Sequence, residues 1–179
     1  MNKDKIIAAV RDDKAFLEAL KSKVRIIFDL SPSIESLEEK VEKCQKYDKL
    51  FFIHIDLAEG IGKDKAGLKY VKKCGVDGII STRVQLIKLA NDVGLKTVQR
   101  TFIVDSQSID TAISSFKTKP DMAEIMPGVL SAKVIERICE SVDMPVIAGG
   151  LIETEDEVDA ALSAGATLVS TGKAELWDR

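Results

Sequence analysis

Pro145-Val146-Ile147-Ala148-Gly149-Gly150-Leu151-Ile152 opens the stretch that decides the fold, and Ala166-Thr167-Leu168-Val169-Ser170-Thr171-Gly172 closes it. Between them lie an acidic run, Glu153 to Asp159, and the segment Ala160 to Gly165. A short β-branched run ends in two glycines. An amphipathic helix follows, with Val158, Ala161 and Leu162 on one face and a stop at Gly165. A second apolar run then ends in Ser-Thr-Gly. This is strand, helix, strand, and such a crossover makes the strands parallel. Gly149 and Gly150 leave backbone amides uncovered by any Cβ. Ser170 and Thr171 end the neighbouring strand, and Ala174-Glu175-Leu176-Trp177 allows a short closing helix. Amides, hydroxyls and a helix N-terminus converging on one spot make an anion site. In (β/α)8 barrels that site lies after strands seven and eight.

The rest of the chain repeats the unit. Strands are expected at Ile6–Val10, Val24–Leu30, Leu50–Leu57, Gly78–Ser81, Thr97–Val104 and Met122–Met126, before the seventh at Pro145. Helical spacing fills each gap. Asp12 or Asp13 caps a helix carrying Phe16, Leu17 and Leu20; Ser33 caps one carrying Ile34, Leu37, Val41 and Cys44. Later helices stop at Gly75 and Gly94, start at Asp105 or Ser106, and carry Val134, Ile135, Ile138 and Val142. Strands apolar on both faces suit a parallel sheet covered by helices. Eight units predict one domain, residues 1–179: a compact α/β (β/α)8 TIM-type barrel with a short eighth helix. An open doubly wound sheet is the alternative. Gly75-Val76-Asp77-Gly78-Ile79-Ile80-Ser81-Thr82 echoes Gly165 to Thr171, half a barrel away, an echo that chance likeness of two glycine-stopped, β-branched strands explains equally well.

Composition narrows the function. The 179 residues are 45% apolar and 31% charged, with net charge −3, so nothing global favours nucleic acid or an anionic membrane. No apolar run nears the roughly 20 residues that span a bilayer. Met1 to Lys5 is charged and leads into a short apolar run, unlike a signal peptide. A cytoplasmic protein with Cys44, Cys74 and Cys139 reduced is expected.

Strand carboxyl ends collect function in parallel barrels. Here they offer Arg11, Asp29, His54, Asp56, Ser81, Thr82, Arg100, Glu124, Gly128, Gly149, Gly150, Ser170 and Thr171. Cations, hydroxyls and glycines suit an anion, and carboxylates suit hydroxyl groups; together they suit a small polyol phosphate. Each has a plainer reading. Gly149-Gly150 also fits a tight turn, and Ser170-Thr171 a cap. Arg100 also fits a pairing with a carboxylate such as Glu124. His54, the sole histidine, reads best as a hydrogen-bonded barrel-core residue. No metal-ligand pattern and no Cys or Ser nucleophile with a histidine orienter appears, and no cofactor is expected. Lys65, Lys69, Lys72 and Lys73 gather on adjacent helical positions. A solvated face is the default; contact with nucleic-acid phosphates is the alternative.

Taken together these motifs resemble the bacterial glycerol uptake operon antiterminators. The resemblance covers essentially the whole chain. It rests on Phe52-Ile53-His54-Ile55-Asp56-Leu57 with Glu59-Gly60, Asp77 to Thr82, Gln99-Arg100, Lys119-Pro120-Asp121, Glu124, Pro127-Gly128, Ala148 to Ile152 and Val169-Ser170-Thr171. It implies a barrel that binds glycerol 3-phosphate, acts on leader mRNA to prevent transcription termination, and catalyses nothing. Gly149, Gly150, Ser170, Thr171 and Gly128 would hold the phosphate; Asp56, Ser81 and Arg100 would face glycerol or phosphate. Asp29 and Arg83 stand where the family more often has a small or apolar residue and a lysine. The alternative is an isomerase or lyase acting on a glycerol or triose phosphate, with Asp56 and Glu124 as acid and base. A metabolite sensor working through a protein partner is a third reading, and the oligomeric state is left open.

Overall fold

A computed structural model describes residues 5–179, so the charged start expected not to be a signal peptide, Met1 to Lys5, lies outside the described residues except for Lys5. Eight parallel strands close into a barrel in chain order: β1 (Ile6–Val10), β2 (Ile26–Asp29), β3 (Leu50–His54), β4 (Gly78–Ser81), β5 (Lys96–Phe102), β6 (Met122–Met126), β7 (Val146–Gly149) and β8 (Leu168–Thr171). β8 pairs with β1, Ile7 opposite Ser170, which removes both sheet edges and excludes the open doubly wound alternative. The connecting helices are α1 (Asp13–Lys21), α2 (Leu37–Lys46), α3 (Lys65–Lys73), α4 (Val84–Val93), α5 (Ser106–Ser115), α6 (Ala132–Glu140) and α7 (Glu155–Ser163). In place of an eighth helix there is a single 3-10 turn, Ala174–Leu176.

Alternation along the strands builds two cores. Ile7, Phe28, Leu30, Phe52, Ile80, Val98 and Ile147 fill the barrel interior. Residues of opposite parity, such as Ile27, Ile53, Ile79 and Val169, pack outward against the helices. At the end of β8 the Trp177 indole donates to the Thr171 carbonyl, so the terminal turn seals the barrel without a helix.

Several boundaries differ from those expected. β3 ends at His54, and Ile55–Leu57 is a 3-10 turn, because Asp56 turns back to bond the end of β4. β5 covers Lys96–Phe102 rather than Thr97–Val104, and β2 is shortened to Ile26–Asp29. Asp12 is the α1 cap, accepting from the Ala15 amide, but Leu17 faces solvent. Ser33 does not cap α2. It forms an isolated bridge to Glu59, and Ile34 precedes the helix, partly exposed. That bridge ties the β2–α2 loop to the β3–α3 loop at the carboxyl-end face. All three cysteines are free thiols; burial pushes Cys44 up to about 12.

Gly67 lies inside α3, where glycine costs about 1 kcal/mol relative to alanine. A Cβ there would sit 1.9 Å from the Gly62 carbonyl oxygen, so the helix packs directly on the incoming loop. Gly67→Ala should therefore lower the melting temperature by roughly 5 °C or more despite its better helix propensity. Thermal denaturation followed by circular dichroism checks this; a raised melting temperature would show that the loop is not seated on the helix.

Candidate functional site

The inner strand positions turn polar at one depth. Arg100 lies two residues after Val98, Glu124 two after Met122, Gly149 two after Ile147 and Ser170 two after Leu168. Each follows an apolar residue that packs inside the barrel, so alternation aims all four inward, one layer nearer the strand carboxyl ends. Register pairs Arg100 with Glu124 and Gly149 with Ser170.

Glu124 organises this layer. Its side chain is fully buried, and each carboxylate oxygen has its own donor: Arg100 Nε at 2.6 Å on Oε2 and the Ser170 hydroxyl at 2.7 Å on Oε1. Gly149 makes room for it. A Cβ at Gly149 would stand 2.4 Å from Glu124 Oε1 and 2.5 Å from Ser170 Oγ. Steric demand of this internal cluster therefore accounts for one of the two glycines first read as bare amides. Arg100 is fixed through Nε alone. Among the described residues no hydrogen bond engages its Nη atoms, and neither is among the buried unpartnered atoms, so the fork of the guanidinium reaches the mouth.

The β7–α7 corner lies beside this layer. Gly150 and Leu151 are both left-handed, at φ of +79° and +61°. Leucine there is strained, and it projects its side chain 70% exposed at the rim. The Gly150 carbonyl accepts from the Gly128 amide at 2.8 Å, joining the β6 and β7 loops. Thr171 has the opposite parity from Ser170. Its hydroxyl donates to the Ile152 carbonyl at 2.7 Å and accepts from the Lys173 amide, pinning β8 to the same corner. The corner and Thr171 are thus adjacent, as the opening stretch required.

Asp56 and Ser81 form a second cluster at the ends of β3 and β4. Ser81 donates to Asp56 Oδ1 at 2.7 Å, and the Thr82 amide and hydroxyl donate to Oδ2 at 2.8 and 2.9 Å. Arg83 lies 3.9 Å from the same carboxylate. Burial works to raise the Asp56 carboxyl, but these three hydrogen bonds outweigh it and hold the group below the usual carboxylate range. His54 lies on the inner face below Asp56. Burial, and then the Arg100 charge, holds its imidazole below the ordinary value. His54 is a buried barrel-core residue, as expected, but its Nδ1 has no hydrogen-bond partner. Asp29 points outward instead and pairs with buried Lys40 at 2.9 Å, so the unusual acid of β2 is spent between sheet and helix. Gln99 also points outward, donating to Ser115.

Lys65, Lys69, Lys72 and Lys73 are exposed on α3, which is capped by Asp64. Lys72 is engaged with the Val93 carbonyl at 2.6 Å. No group of His, Cys, Asp and Glu that could hold a metal occurs among the described residues, and none of their helices is long and apolar enough to cross a membrane.

A closed (β/α)8 barrel with a buried ion pair beneath a glycine corner defines the class: barrels of this kind collect function at the carboxyl ends of their strands. The chain belongs to the glycerol-3-phosphate responsive antiterminator family, whose model matches residues 6–177. The family's description is that of a regulator, not of an enzyme. The chain is similar to the glycerol uptake operon antiterminator regulatory protein of Listeria monocytogenes (strain 4b F2365), with 29% identity and a TM-score of 0.90, covering 99% of this chain and 96% of that one. It is also similar to a glycerol uptake operon antiterminator-related protein of Thermotoga maritima, with 29% identity and a TM-score of 0.87 over 98% of this chain and 99% of that one. An uncharacterised Escherichia coli (strain K12) protein, YgcP, is 34% identical over 99% of this chain and 93% of its own length.

The Asp56 cluster generates a pH-dependent prediction. The unfolded carboxyl titrates near 3.9 and the native one lower, so its stabilisation is present above about pH 4 and is lost as pH falls through the native value. Asp56→Asn should cost about 1–2 kcal/mol at pH 7, and the gap to the unsubstituted protein should close in acid. Urea denaturation at pH 7 and near pH 3 measures both; a pH-independent gap would contradict the assignment.

Proposed function

We propose that this protein is a glycerol 3-phosphate-responsive regulator that binds leader mRNA in the cytoplasm and prevents transcription termination. The observation that carries the ligand half is Arg100. Its Nε is held by Glu124 while its Nη fork faces the mouth, a preset receptor for a phosphate dianion. In this reading Gly150, with Gly149 and Gly128 behind it, offers backbone to the phosphate, and Ser170 and Thr171 fix the corner that surrounds it. Asp56 and Ser81 line the opposite side, where a hydroxyl can join their network. Family membership supports the choice of glycerol 3-phosphate.

For the RNA half, the exposed lysines of α3 supply phosphate contacts. α3 follows β3 and α7 follows β7, half a barrel apart. The first turn of α7 carries Glu155, Asp156 and Glu157, so charge favours RNA on the α3 flank over the α7 flank. This distribution gives a protein of net charge −3 a route to nucleic acid that its total charge conceals. The ligand acts by binding the RNA-competent state more tightly, through the loops around the mouth. The isomerase or lyase reading gains no support. Asp56 is committed to Ser81 and Thr82, and Glu124 to Arg100 and Ser170.

Two measurements test this. Replacing Arg100 and Glu124 together by Gln removes both charges without stranding one, so the protein should fold yet bind glycerol 3-phosphate at least about tenfold more weakly by calorimetry. Unchanged affinity would move the phosphate elsewhere. Filter binding to the leader RNA should show tighter complexes with ligand present. The combined Lys65→Glu, Lys69→Glu and Lys73→Glu protein should lose most RNA affinity while keeping ligand affinity. No RNA binding at low salt, with or without ligand, would refute the RNA half.

A further inference from the structure

His54 is the sole histidine of the chain, and the roles given above leave its ring unused. It closes β3 two positions after Phe52, which packs in the barrel interior. The imidazole is therefore aimed inward above that apolar floor. The residue is 5% exposed, and its Nδ1 is buried without a hydrogen-bond partner. Burial and the Arg100 charge keep the ring neutral at neutral pH, and Asp56 and Glu124 are the acids near enough to influence it.

Buried polar atoms are nearly always partnered, so an orphan nitrogen on the inner face of a barrel strand, at its carboxyl end, marks a place that a ligand atom can complete. A neutral imidazole presents at Nδ1 either an N–H or a lone pair, depending on tautomer. A hydroxyl satisfies either one, because it both donates and accepts; an anionic oxygen satisfies only the first. β3 lies four strands from β7 in the closed barrel, so the ring faces the Gly149–Ser170 corner from the opposite wall. We propose that His54 Nδ1 takes a hydroxyl of a short phosphorylated polyol whose phosphate lies at that corner, and so selects hydroxylated esters over plain alkyl phosphates. The proposal rests on the phosphate reading above and adds the residue that reads the other end of the ligand.

A single histidine makes the test direct, since its ring nitrogens give unambiguous 15N resonances in the unsubstituted protein. Glycerol 3-phosphate and propyl phosphate are compared, with calorimetry establishing affinity and saturation for each. The Nδ1 resonance should move on saturation with glycerol 3-phosphate and stay close to its free position with propyl phosphate. His54→Phe should weaken glycerol 3-phosphate roughly five- to tenfold and leave propyl phosphate unchanged, and His54→Gln should recover part of the loss. Equal displacement of Nδ1 by both esters, or none by glycerol 3-phosphate at saturation, overturns the role of His54 while leaving the phosphate site standing. Absence of calorimetric binding for both esters removes the phosphate site and this proposal with it.

Discussion

The structure depends on an ion pair placed where water cannot reach it easily. Glu124 is wholly buried inside a barrel whose apolar floor is Ile, Leu, Val and Phe, and Arg100 is nearly so. Desolvating two charges costs several kcal/mol each, and replacing such pairs by apolar residues is often neutral or stabilising. Stability alone therefore does not explain the pair. What the pair achieves is orientation. Glu124 uses one oxygen for Arg100 and the other for Ser170, so strands β5, β6 and β8 are tied at one depth. β7, between β6 and β8, contributes no side chain there; Gly149 leaves the space that the carboxylate and the hydroxyl occupy.

Around this layer hydrogen bonds from side chain or backbone close the end of one strand onto its neighbour. Asp56 binds the end of β4, Thr171 binds the β7–α7 corner, and Gly128 binds Gly150 through the backbone. The polar groups of the mouth are thereby largely committed to each other. The guanidinium fork of Arg100 and the Nδ1 of His54 stand out as uncommitted, and they lie on the inner faces of β5 and β3. A ligand with a dianion at one end and a hydroxyl at the other is what the proposed roles of these two groups call for. An exposed Leu151 held at positive φ at the rim shows that the corner keeps its shape at some local cost.

Much of this was legible in the sequence, for definite reasons. The repeating β-branched runs and helical spacings gave the eight units, and alternation within each strand is strict enough that Arg100 and Glu124 could be read as candidates for pairing. The Gly149–Thr171 juxtaposition followed from two parallel strands ending together. What the sequence hid depends on contacts between distant residues. Nothing local announces that Gly67 must be glycine, because its constraint is the carbonyl of Gly62. Gly149 looked like a source of free amides, and its tighter constraint is a carboxylate on another strand. β3 appeared longer than it is because Ile55 and Leu57 continue the apolar run, while Asp56 turns the chain. A lone histidine in a β-branched run carries no signal of an unpartnered nitrogen, so the sequence alone makes His54 a satisfied core residue.

Ligand recognition turns on whether the open face of Arg100 receives a dianion at the barrel mouth. A crystal structure of the protein soaked with inorganic phosphate decides it. The expected result is tetrahedral density within hydrogen-bond distance of the Arg100 Nη atoms and the backbone beside Gly150. Phosphate found only at surface lysines, with the mouth filled by ordered water at saturating concentration, would contradict it.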